Sequence, residues 1–83
     1  MLSVILLRYD FSNCITMSEL KSKVGQKIRN IRKKIEITQE KLAEKAGISV
    51  DFLSLIERGR NAPSLESLEK IAKALGVSVK EFF

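Results

Sequence analysis

The 83-residue sequence predicts an all-α domain, a compact bundle of five helices, and three observations carry that expectation. Apolar residues recur at three- and four-residue steps from Leu20 onward, threonine or serine stands just ahead of the later runs, and glycine stands just behind three of them. A chain this short forms one domain with a thin core. Cys14 is the only cysteine, so disulfide staples are excluded and the usage fits a reducing cytoplasm.

The first helix is expected roughly from Glu19 to Lys34, because Leu20, Val24, Ile28, Ile31 and Ile35 fall on one apolar stripe. Its other faces carry Lys21, Lys23, Lys27, Arg29, Arg32, Lys33 and Lys34 against Glu19 alone, the most basic surface in the chain unless it is simply a solvated face. Thr38 then offers an N-cap to a helix from Gln39 to Ala46, with Leu42, Ala43 and Ala46 inward. Gly47 ends it, since glycine takes a left-handed backbone at little cost. Ser49 caps a third helix, Val50 to Arg58, closed by Gly59. The short link forces the second and third helices to cross steeply, and Ala43 leaves room for Leu53 and Ile56.

Ser64 caps a fourth helix, Leu65 to Leu75, whose stripe is Leu65, Leu68, Ile71, Ala72 and Leu75 and whose end is Gly76. Ser78 to Glu81 spells S-x-x-E, a capping box that opens a last short helix ending at Phe83. Residues 1–17 read as an extension and 18–83 as the domain. The opening MLSVILL is too short to span a bilayer and has no basic residue ahead of it, so neither a membrane segment nor secretion is expected. Ile5, Leu7, Tyr9 and Phe11 alternate with Arg8, Asp10 and Ser12, the period of a β-strand. Such a strand has no partner within a helical domain, which points to pairing with a second subunit beside Phe82 and Phe83; a flexible arm is the alternative.

Fifteen Lys and Arg against ten Asp and Glu give a net charge of +5 and favour a polyanionic partner such as nucleic acid. Catalysis is not expected. Histidine is absent, and no phosphate loop, paired-carboxylate signature or metal-ligand spacing occurs, so neither cofactor nor metal is anticipated.

Gln39, Leu42, Ala43, Gly47, Ile48, Leu53, Ile56, Glu57 and Gly59, set in the wording TQEKLAEKAGIS and IERGRNAPS, resemble the Cro and phage-repressor type helix-turn-helix regulators, often called Xre-like. The resemblance continues through SLESLEKIAKALGVSVKEFF and so covers about Glu19 to Phe83. It implies that the third helix enters the major groove of double-stranded DNA, with Val50, Asp51, Ser54 and Leu55 reading bases and Phe52 at the margin. It implies phosphate contacts from Gln39 and Arg58, joined by Arg60 and Asn61 in the following loop. An ion pair between Arg32 and Glu57 is also implied, against the alternative of two separate solvated charges.

This reading face is more apolar than that of the well-known repressors. Val50 and Leu55 suit thymine methyl groups and Asp51 can accept from cytosine N4, but Leu55 and Phe52 could instead serve the core or a protein partner. The expected function is a sequence-specific transcriptional regulator acting as a homodimer on an inverted repeat. The alternative is a protein-binding adaptor or antitoxin-like partner on the same fold. No small-molecule effector is evident, and with the sequence ending just after the last helix no effector domain is expected.

Overall fold

The computed structural model describes residues 16–83. Four α-helices follow one another: α1 (Met17–Lys34), α2 (Gln39–Ala46), α3 (Val50–Glu57) and α4 (Leu65–Leu75), and a single 3-10 turn (Val79–Phe82) closes the chain. The strand expected over Ile5, Leu7, Tyr9 and Phe11 lies outside the described residues.

The four α-helices begin alike. Thr16, Thr38, Ser49 and Ser64 have extended backbones, and each side-chain oxygen accepts from the amide three residues on, at Glu19, Lys41, Phe52 and Ser67. Those amides have no carbonyl one turn earlier, so the caps satisfy donors that would otherwise face water. The helices also end alike, with paired bonds from the turn amides back to the last carbonyls, such as Ile48 N to Ala43 O at 3.0 Å and Arg60 N to Leu55 O at 2.9 Å. Three of these corners are left-handed glycines, Gly47, Gly59 and Gly76. The fourth is Glu36, a non-glycine residue at φ 60, which keeps the corner after α1 at some cost in backbone strain.

Several expectations are corrected. The fifth helix is a 3-10 turn, and Ser78 makes no capping bond through its side chain. In a 3-10 turn the amide of Glu81 is taken by the carbonyl of Ser78, at 3.0 Å, so no free donor is left for the hydroxyl. The capping box forms instead at Thr16 and Glu19, which starts α1 at Met17. At its far end α3 stops at Glu57, and Arg58 is the C-cap.

The core is built from Val24 and Ile28 of α1, Leu42, Ala43 and Ala46 of α2, Leu53 and Ile56 of α3, and Leu68, Ile71, Ala72 and Leu75 of α4. Phe82 completes it with no exposure. It therefore cannot serve as a dimer contact, because the final turn drives its ring between α1 and α4. The stripe members Ile35 and Leu65 are exposed rather than inward, since they stand at helix ends beyond the neighbours that would cover them. α3 packs on α1 and α2, while α2 packs also on α4. Two glycines set how close α1 and α3 come. A Cβ on Gly25 would collide with the carbonyl oxygen of Ile56, and one on Gly59 would lie 2.7 Å from Ser22 Oγ and 2.9 Å from Ser22 Cα.

Candidate nucleic-acid interface

The packing of α1 against the end of α3 brings Arg32 and Glu57 together across 25 residues of sequence. Arg32 Nε donates to Glu57 Oε2 at 2.7 Å and Nη2 donates to Oε1 at 3.0 Å, the two-pronged fit of guanidinium to carboxylate. Nη1 donates at 2.9 Å to the carbonyl of Ile37, in the turn before α2. Gln39, first residue of α2, adds a bond from Nε2 to Glu57 Oε1 at 3.0 Å. The Glu57 side chain is only 2% exposed, and these three donors satisfy its charge. One junction thus ties α1, the α1–α2 turn, α2 and the end of α3 together, which holds α3 at a set angle to its neighbours.

Beside the junction lies an open polar cleft lined on the α1 side by Gln26, Arg29 and Arg32, and on the other by Ser54, Glu57, Arg58 and Arg60, with Gln39 also in its lining. Arg32 answers Glu57, whereas Arg29, Arg58 and Arg60 have no carboxylate partner among the described residues. The cleft is consequently cationic. Of the residues anticipated to touch phosphate, Gln39, Arg58 and Arg60 line it; Asn61 is half-buried and lies outside its lining.

The four anticipated base readers occupy the first two turns of α3, with Val50 and Asp51 exposed and Ser54 and Leu55 half-buried. Ser54 also lines the cleft, so the outer face of α3 runs directly into the cationic surface. Phe52 is half-buried and packs against the core, which separates it from that outer face. Gln39 has a double part, since the amide that faces the cleft also holds Glu57.

Gln26, Gly25 and Thr16 were not singled out from sequence, and Arg29 was seen only as part of a basic face. A signal existed for all of these but Gln26. Thr16-Met17-Ser18-Glu19 spells T-x-x-E, while Ser22, Gly25, Arg29 and Arg32 follow one another at three- and four-residue steps, marking a second stripe on α1 beside the apolar one. Among the described residues, no cluster of side chains fit to hold a metal ion is present and no helix is long and apolar enough to cross a membrane.

A family model described as helix-turn-helix matches residues 28–82. The chain belongs to the helix-turn-helix family. It is of the phage-repressor, Xre-like type, a family of DNA-binding transcriptional regulators rather than of enzymes. Among curated proteins it is 54% identical over 56 residues to the immunity repressor protein of Bacillus phage phi105, covering 68% of this chain but only 39% of that repressor. It is 48% identical over 58 residues to control protein C.BamHI of Bacillus amyloliquefaciens, covering 69% of this chain and 72% of that protein. Among solved structures, the restriction-modification controller protein C.AhdI from Aeromonas hydrophila superposes with a TM-score of 0.74 at 33% identity, over 76% of this chain and 96% of the other. The helix-turn-helix motif of this protein is α2, the Gly47 corner and α3.

Proposed function

We propose that this helix-turn-helix protein is a sequence-specific transcriptional regulator that binds an inverted-repeat operator as a homodimer. The observation that carries the reading is the cationic cleft running into the exposed outer face of α3. Phosphates held by Gln39, Arg58 and Arg60, with Asn61 on the adjoining loop, would position the domain without regard to sequence. The reading would come from α3 in the major groove: Val50 and Leu55 against thymine methyl groups, Ser54 as donor or acceptor, and Asp51 accepting from cytosine N4. The Arg32–Glu57 junction holds that helix steady, so reading would need little rearrangement on binding. A regulatory role also accords with proteins of similar sequence or structure named as an immunity repressor, a control protein and a restriction-modification controller protein.

One short helix reaches only a few base pairs, so useful specificity calls for two copies related by a twofold axis, with half-sites about one helical turn or roughly 34 Å apart. The exposed Phe83 and the apolar positions Ile5, Leu7, Tyr9 and Phe11 are the proposed dimer contacts. Deleting residues 1–15 and measuring mass in solution should give a weaker dimer; an equally tight one removes that segment from the interface.

Selection of bound duplexes from a random pool, followed by footprinting, tests the function. Selected sites should share a dyad, and affinity should fall steeply with salt as counterions are released. Arg58→Ala should weaken binding to all duplexes alike, whereas Ser54→Ala or Asp51→Ala should change preference at particular base pairs by about 1 to 3 kcal/mol. Sites without any dyad would count against the homodimer, whereas indifference to these substitutions and to salt would turn the assignment toward a protein-binding adaptor.

A further inference from the structure

The stripe Ser22, Gly25, Arg29 and Arg32 faces the end of α3, and the residues flanking Arg29 are fixed there. Ser22 abuts Gly59, Gly25 lies under the Ile56 carbonyl, and Arg32 is bonded to Glu57. Arg29 is therefore held in register beside the α3 terminus, where it shares the cleft with Arg58 and Arg60. The nearest carboxylate in that cleft is Glu57, already occupied by Arg32 and Gln39. Three guanidinium groups converging on one concavity repel one another until an anion enters. The lysines of α1, Lys21, Lys23, Lys27, Lys33 and Lys34, do not line it, so Arg29 is set apart from the general basic surface of the helix.

We propose that α1 itself grips the DNA backbone: a phosphodiester group seated in the cleft is held from one side by Arg29, with the Gln26 amide beside it, and from the other by Arg58 and Arg60. This rests on the regulator reading above and extends the footprint of the protein to a helix outside its helix-turn-helix motif. Guanidinium suits the task because its planar fork can meet two phosphate oxygens at once. Gly25 and Gly59 matter here as spacers, for they bring the α1 wall close enough to the Arg58 and Arg60 wall for one phosphate to touch both.

The test compares the full chain with Arg29→Ala, Arg29→Lys and Lys33→Ala, measuring duplex affinity on the selected site and on a scrambled one across a salt series. Arg29→Ala should lower the slope of log affinity against log salt by about 0.9, the release from one phosphate contact on duplex DNA, and weaken both duplexes by the same factor. Arg29→Lys should keep the slope. Lys33→Ala removes the same net charge outside the cleft and should leave the slope unchanged. Equal slopes for Arg29→Ala and wild type overturn the inference, as do equal losses for Arg29→Ala and Lys33→Ala, which would mean that only net charge counts. A lower melting temperature for Arg29→Ala with an intact slope would assign Arg29 to the α3 terminus alone and likewise overturn it. Wild-type protein that binds no duplex would overturn the regulator reading and this inference together.

Discussion

At the carboxyl-terminal end of α1, Arg32 reaches a carboxylate that is almost wholly buried; at the amino-terminal end, Met17, Leu20 and Val24 line an apolar groove with Pro63, Leu65 and Phe83, where Leu65 is 78% exposed. One helix thus has a charge buried at one end and bare hydrocarbon at the other. Residue type alone would have put both the other way round. The difference shows that burial follows from neighbours: Glu57 is inside because three donors meet it there, and Leu65 is outside because no element among the described residues covers it. Gly25 marks the boundary, with Val24 in the apolar groove and Gln26 in the cationic cleft.

The sharpest way to break this contrast is Arg32→Ala, which strands the Glu57 carboxylate with Gln39 as its remaining partner and should cost about 3 to 5 kcal/mol in denaturant unfolding. The paired change Arg32→Met with Glu57→Met should recover most of that loss, because the cost lies in the unpaired charge. A double variant as unstable as the single one would show that the junction stabilises through its own bonds. Gly25→Ala should cost about 1 to 3 kcal/mol, since the obstacle is the backbone oxygen of Ile56 and not a side chain that can swing away. Ala43→Leu, at the crossing of α2 and α3, should fall in the same range. Unchanged melting in both would mean that the helices do not meet as closely as described.

At the other end of α1 the expected effects are small. Leu65→Ser should alter stability by less than about 0.5 kcal/mol despite removing a large apolar side chain. A much larger loss would show that the groove is covered in solution. Smallest of all is the pH effect at Glu19, whose carboxyl is held below its ordinary value of 4.5 by the Thr16 backbone amide and then by the Thr16 hydroxyl. A lowered folded value means that the contribution is complete above the ordinary value and disappears as pH falls through the folded one. The difference in melting temperature between wild type and Glu19→Gln should accordingly shrink on acidification; a constant difference would exclude the titration as its source.

Helix positions were legible in the sequence because their signals are local. Thr38, Ser49 and Ser64 cap within three residues, Gly47, Gly59 and Gly76 turn the chain at their own φ, and the stripes of α1 and α4 need only a period. The same locality explains the errors. S-x-x-E at Ser78 and T-x-x-E at Thr16 look alike as patterns, and only the backbone hydrogen bonding of the turn distinguishes them. Phe82 and Phe83 are adjacent and identical in type, yet one is fully buried and the other 52% exposed.

By itself the sequence determined the helical class, most of the helix limits and the family, since caps, glycine corners and periodicity act over a few residues and need no distant partner. Tertiary structure alone decided that Arg32, Gln39 and Glu57 share one hydrogen-bonded junction, that Gly25 lets α1 lie against the carbonyls of α3, and that Arg29 joins Arg58 and Arg60 in one cleft. Each of these depends on the distance between residues far apart in the chain, and that distance exists only once the core from Val24 to Phe82 has closed.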